Sequence, residues 1–214
     1  MPLFYSLDGF GKETARVAGR LEALRHILQI HPDGPQRSVP GKNATETLLL
    51  ATWNLKEFEG GQNDPRTAES YWYVAEIISH FDLVAIQEVG AHLGALHKLQ
   101  DRLGRTWKFV VSDVTEGSAG NKERLAFLFD RRKIRFSGVA GEIVMPPIED
   151  KNGKTIAPAN QLARTPTIVG FEAGWFRFMI ATVHVIWSRA MVEDPKRVAE
   201  IKAIAEFLKA RSED

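Results

Sequence analysis

The 214-residue chain contains no cysteine, which rules out disulfides and thiolate metal sites. A cysteine-free chain suits a reducing compartment, and the expected location is cytoplasmic. No apolar run approaches the length of a bilayer span, so no membrane association is expected. The first residues lack a basic stretch followed by an apolar run, and no secretory leader is expected. Without a leader, Asn43-Ala44-Thr45 reads as a chance match to a glycosylation acceptor. Neither sign of charge dominates: 28 basic residues stand against 27 acidic ones, a net charge of +1. Such a balance does not announce a nucleic-acid binder, although a local basic patch would suffice for one. Internal repeats, low-complexity tracts and an interior domain boundary are also lacking.

What is present is an ordinary globular composition, 44% hydrophobic and 26% charged, long enough for one domain with a real core. Residues 13–30 read as an amphipathic helix, with Ala15, Ala18, Leu21, Leu24 and Leu28 at spacings of three and four. A polar Gly- and Pro-containing stretch, 31–43, follows as a loop. Residues 1–45 are therefore expected as a helical extension and linker, and 46–214 as the main domain. The extension packs on the flank of that domain or contacts a partner.

From residue 47 the pattern changes. Residues 48–53 and 81–89 are short apolar runs bounded like buried strands, and 67–80 and 93–103 read as helices. Gly104 is a natural helix stop. Strands are expected over 107–113, 124–129, 133–139, 167–171 and 176–185. Loops are expected over 57–65, 115–122 and 149–163, and an amphipathic helix over 195–208. Alternating helices and strands early, then strands in succession, give an α/β (α+β) class with partly antiparallel pairing in layers.

Three polar residues end apolar strands: Asn54, Glu88 and His184. Strand ends in layered α/β proteins are where side chains converge on a crevice. An acid and an amide offer hard oxygen donors, which suit Mg2+ or Ca2+. A histidine adds proton transfer or a hydrogen-bond donor for a phosphate. Taken singly, each has an ordinary reading as a turn former, a solvated carboxylate or a bonded core histidine.

Four stretches in consistent order resemble the endonuclease/exonuclease/phosphatase superfamily, and within it the deoxyribonuclease I group. They are 52–58 (TWNLKEF), 81–89 (FDLVAIQEV), 122–129 (KERLAFLF) and the span from Arg164-Thr165-Pro166 through Phe171 to Thr182-Val183-His184. The likeness covers residues 47–208. It implies a layered β-sandwich with flanking helices, and a metal-dependent phosphodiesterase, first of all a nuclease acting on DNA or RNA. It implies Glu88 as the main ligand of Mg2+, with Ca2+ or Mn2+ able to take the same donors, and Asn54 beside it on metal or phosphate. His184 would contact the scissile phosphate or protonate the leaving oxygen. Glu123 would orient His184 and favour its protonated form. Arg164 would approach the phosphate with its fork of donors. Other readings of the same fold are a hydrolase of a small or lipid phosphoester, or a non-catalytic interaction domain.

The sequence departs from the group in two ways. Family members continue with a strand ending Gly-Asp-x-Asn, a late Asp and a Ser-Asp-His ending. None of these occurs after the helix at 195–208. The expected domain is therefore incomplete at its C-terminal side, inactive by itself, and completed by a further segment or a partner chain. The group also has a basic residue two positions after its metal-ligand Glu and a Tyr two before its orienting Glu. Here those positions are Gly90 and Asn121, so minor-groove reading of duplex DNA does not carry over. Lys122, Arg124, Arg131, Arg132 and Lys133 could still meet a phosphate backbone, although 131–133 also reads as a solvated turn.

Overall fold

The computed structural model describes residues 4–30, 37–58, 66–114, 122–145, 148–149, 152–156, 162–186 and 194–212. Much of the expected loops at 31–43, 57–65, 115–122 and 149–163 lies outside these residues. A 3-10 helix (Phe4–Glu13) runs into α1 (Thr14–Gln29), and α1 packs on α2 (Ala68–Ser79) through Leu7, Val17, Leu21 and Trp72. The apolar stripe differs from expectation at one end: Val17 is buried and Ala15 is exposed. Four residues separate Val17 from Leu21, so the larger β-branched side chain takes the inward position.

β1 (Leu50–Asn54) and β2 (Leu83–Val89) are parallel, with Asn54 opposite Gln87. A parallel pair needs a crossover, and α2 provides it. Thr67 caps α2 by accepting a hydrogen bond from the Ser70 N–H at 3.2 Å. After β2 comes α3 (Gly94–Leu103), which stops at Gly104, whose φ of +92° suits glycine. β3 (Trp107–Val111) and β4 (Arg124–Asp130) complete a four-stranded sheet in the order β1-β2-β4-β3. β5 (Arg135–Glu142) leads to a small hairpin, β6 (Ile148–Glu149) and β7 (Thr155–Ile156), inside the segment expected to be irregular. β8 (Thr167–Ala173) and β9 (Phe176–Thr182) then join β5 in an antiparallel sheet ordered β5-β8-β9. The chain closes on α4 (Pro195–Ser212), capped by Asp194 Oδ1, which accepts from Lys196 N at 2.8 Å.

Two cores follow from the alternation of side chains. Val84, Ile86 and Leu128 face α2 and α3, while Leu83, Ala85, Phe127 and Phe129 face Val169 and Phe171 of the second sheet. The architecture is thus the expected layered sandwich with flanking helices. At the base of β2, buried Asp82 draws in Lys133 Nζ at 2.8 Å and Lys42 Nζ at 3.3 Å. The same Lys133 amine donates to the Asn43 carbonyl at 2.8 Å, fastening the stretch before β1 to the sandwich.

Glu76 of α2 is buried and takes Arg25 of α1 through both oxygens at 2.7 Å, with His80 Nε2 at 3.3 Å. Burial pushes the Glu76 carboxyl up, but the hydrogen bonds from Arg25 and His80 outweigh it and hold it below the usual range. A depressed carboxylate stabilises the fold above its unfolded-state pKa and loses that contribution as pH falls through the folded value. Arg25→Met should therefore cost about 3 kcal/mol at neutral pH, because it strands a buried charge. Urea unfolding at neutral and acid pH should show the gap to wild type closing in acid. A gap of equal size at both would contradict the assignment.

Candidate active site

β2 pairs with β4 in register from Leu83 to Ile86, and the pairing resumes at Val89 opposite Arg124. Gln87 and Glu88 thus stand against Leu125 alone, which is a β-bulge. Strict alternation would send Gln87 toward the second sheet and Glu88 toward the helices. The bulge lets Gln87 keep its inward direction and re-aims Glu88 to the strand end. Glu88 has φ +62°, the left-handed region that a non-glycine residue adopts at a cost.

The re-aimed carboxylate is held on both oxygens. Asn54 Nδ2 donates to Glu88 Oε1 at 2.6 Å, and the Glu57 N–H donates to Oε2 at 2.9 Å. Lys56 and Glu57 themselves have positive φ, +32° and +49°, which turns the chain so that this N–H faces back. Arg66 fixes the turn by donating to the Leu55 and Lys56 carbonyls. Asn54 Oδ1 accepts from the Lys56 N–H at 2.8 Å. Its oxygen therefore meets the backbone and its amide nitrogen faces Glu88. In this arrangement Asn54 orients the carboxylate through its amide nitrogen.

Two residues past the end of β9, which stops at Thr182 short of the expected 185, His184 brings Nε2 to 3.5 Å from Glu88 Oε1 and Nδ1 to 3.2 Å from Glu123 Oε2. The Nδ1 contact is close but not aligned as a hydrogen bond. Glu123 Oε2 is engaged by Arg164 Nε at 2.7 Å, and Arg164 is buried. Arg164 is thus tied to Glu123 rather than held out alone. All five expected residues, Asn54, Glu88, Glu123, Arg164 and His184, form one connected cluster.

Burial pushes the His184 imidazolium down, and the Arg164 charge adds to that; Glu123 and Glu88 pull the other way without overcoming it. His184 consequently titrates below its ordinary value. The expectation that Glu123 favours the protonated imidazole has the right direction for that one residue, but Arg164 and burial reverse the outcome. For Glu88, burial pushes the carboxyl up, yet Asn54, the Glu57 N–H, His184 and Arg164 together hold it low.

Two residues that sequence reasoning missed shape the cluster. Buried Gln87 donates through Nε2 to Thr52 Oγ1 at 3.0 Å and to Thr182 Oγ1 at 2.8 Å. Buried Glu200 of α4 accepts from the Ala163 N–H at 2.7 Å and the Ile186 N–H at 2.8 Å, anchoring the chain beside Arg164 and His184. An acid in the middle of a helix gives no signal of its own in sequence. Gln87 had one, a polar residue inside an apolar strand.

No family model matches the chain. Deoxyribonuclease-1 of Bos taurus is 29% identical over 186 residues, covering 83% of this chain and 57% of its own length. A deoxyribonuclease of Thioalkalivibrio sp. (strain K90mix) is 29% identical over 170 residues, covering 77% and 41%. In sequence the chain is deoxyribonuclease I-like, similar at 29% identity to these two deoxyribonucleases. The fold is also found in a functionally unknown conserved protein from Enterococcus faecalis V583, with TM-score 0.51, 21% identity, and coverage of 76% of this chain and 61% of that one. D. rerio TDP2 complexed with single-strand DNA product gives TM-score 0.51 at 13% identity, covering 76% and 54%. The chain spans about half the length of the curated relatives it matches.

Among the described residues no group of three or more His, Cys, Asp or Glu side chains is arranged to hold a metal. Glu88 offers a single oriented carboxylate. That donor set fits Mg2+, which keeps several waters and takes one or two carboxylates besides phosphate oxygens. No helix of the described residues is long and apolar enough to cross a membrane. The candidate backbone-binding cations are largely committed: Arg124 to the Ser112 carbonyl at 2.8 Å, Arg132 to Asp130 at 2.5 Å, and Lys133 to Asp82. Residues 131–133 form the turn between β4 and β5. Asn121 lies outside the described residues.

The left-handed backbone at residue 88 can be tested apart from its chemistry. Glu88→Gly and Glu88→Ala both remove the carboxylate, but only alanine keeps a Cβ at φ +62°. Glu88→Gly should be the more stable of the two by about 1 kcal/mol in denaturant melts. Alanine being equal or better would mean that the bulge relaxes once the carboxylate is gone.

Proposed function

We propose that the chain carries the carboxylate and imidazole half of a Mg2+-dependent phosphodiesterase site, acting as a nuclease on DNA or RNA. The observation that carries this reading is the convergence of Glu88, held by Asn54, with His184, backed by Glu123 and Arg164. Support for the substrate class comes from relatives named deoxyribonucleases and from the TDP2 neighbour with its single-strand DNA product. A cysteine-free sequence supports a cytoplasmic location.

Phosphodiester hydrolysis gathers negative charge on the phosphoryl oxygens, and fixed positive groups stabilise it. A divalent cation at Glu88 would supply Lewis-acid charge there. Glu88 would hold that cation, and Asn54 and the Glu57 N–H would keep the carboxylate aimed. His184 Nε2 faces the Glu88 side of the site, where it would donate a hydrogen bond to a phosphate oxygen or hand a proton to the leaving oxygen. Glu123 would keep Nδ1 in place, and Arg164 would fix Glu123 and add positive charge.

The reading includes completion of the site by a further segment or a partner chain. β1 and β9 are both sheet edges. Between them lies a groove of about 440 Å³ lined by Leu50, Ala51, Thr52, Ala85, Ile180 and Thr182, a natural seat for added strands. The 214-residue chain alone is accordingly proposed to have little activity.

Two assays test the proposal. Calorimetric titration with Mg2+ or Mn2+ should give one site that Glu88→Ala abolishes. In the completed enzyme, EDTA should stop cleavage of DNA or RNA, and His184→Ala should lower the rate by about 10²- to 10⁴-fold. Unchanged cleavage by both variants would overturn the reading. Turnover only of small or lipid phosphoesters would move it to another substrate. Robust metal-dependent cleavage by the 214-residue chain alone would refute the half-site.

A further inference from the structure

Burying an amide between two sheets is costly unless its hydrogens are bonded. Both observed bonds from Gln87 Nε2 cross to hydroxyls on other strands, Thr52 Oγ1 on β1 and Thr182 Oγ1 on β9. Each of the three residues lies one or two positions before a member of the site. Thr52 is two before Asn54, Gln87 is next to Glu88, and Thr182 is two before His184. One side chain therefore touches every strand that delivers a member of the Glu88–Asn54–His184 group. Thr182 is buried with it, so neither group can exchange its bond for water.

Among the described residues, apolar packing does little to set the spacing on this flank. β1 and β9 are edges, and the groove between them separates their apolar side chains. Toward the interior, Phe171 packs edge-on against Phe127 and Phe129 and fixes the sheets there. At the site end the cross-sheet link is polar and directional, which suits distance-setting better than apolar contact does.

We infer that Gln87 is a positioning residue: its amide, clasped by Thr52 and Thr182, fixes the separation of Glu88 from His184 and keeps the two halves of the site in register. The inference rests on reading Glu88 and His184 as one site, but its test reads geometry and not turnover. Failure here would leave the phosphodiesterase reading standing, and the activity assays can fail without touching this one.

The imidazole 1H–15N NMR signals of His184 report its surroundings in the whole chain at one fixed pH. Gln87→Met removes both donors at similar volume, and Thr182→Val removes one acceptor while keeping the shape. Both should move the His184 signals away from their wild-type positions. Thr182→Ser, which restores the hydroxyl, should bring them back. Leu21→Ala, a cavity in the separate α1–α2 core, should leave them in place and so controls for plain destabilisation. If Gln87→Met does not fold, Thr182→Val and its serine rescue decide the matter. Wild-type His184 signals in folded Gln87→Met or Thr182→Val would overturn the inference, and so would an equal shift in Leu21→Ala.

Discussion

A strand that alternates strictly cannot present adjacent side chains to the same end of a sandwich. The bulge that sets Gln87 and Glu88 against Leu125 removes that restriction. It leaves the amide pointing inward to the second sheet and re-aims the carboxylate to the strand end. The left-handed backbone at Glu88 is the local cost. The return is a carboxylate gripped by Asn54 and the Glu57 N–H from β1 and its exit turn. The position of His184 has meaning only against that fixed carboxylate.

Charge in the cluster is arranged in alternation. Glu88, His184, Glu123 and Arg164 form a chain of contacts in which each acid touches a group that is or can become cationic. The arrangement keeps Glu88 ionised and leaves His184 neutral over a wider range than a free imidazole, because the imidazole is buried and Arg164 already answers Glu123. An arriving phosphate would bring negative charge to the face of the imidazole, the direction that favours a donated proton. Behind the cluster, Glu200 ties α4 to the segments on either side of it, so the last described helix also takes part in shaping the site.

The polar residues at strand ends were legible because apolar runs announce buried strands and polar residues break them. Asn54, Glu88 and His184 stood out that way, and resemblance supplied Glu123 and Arg164. Helix and strand positions were legible for the same reason, with boundaries moved by up to four residues, as at the end of α4. The two-versus-one count at the bulge was not legible, because it depends on pairing with β4, and register is a property of two strands. Gln87 was passed over as part of an apolar run, although its polarity inside that run called for a partner. The partner, Thr182, lies 95 residues away, and no local pattern links them. The two-atom roles of Asn54, oxygen to backbone and nitrogen to Glu88, likewise depend on the turn at Lys56 and Glu57.

The claim at the centre is that a single oriented carboxylate and an imidazole from opposite sheets face one metal-phosphate site. Paramagnetic broadening in 15N-labelled chain, titrated with substoichiometric Mn2+, measures it directly. The account predicts early loss of signals from Asn54 to Glu57, around Glu88 and at His184, with the Asp82–Lys133 end of the sandwich unaffected. Broadening spread over the surface carboxylates, or centred away from Glu88, would contradict it.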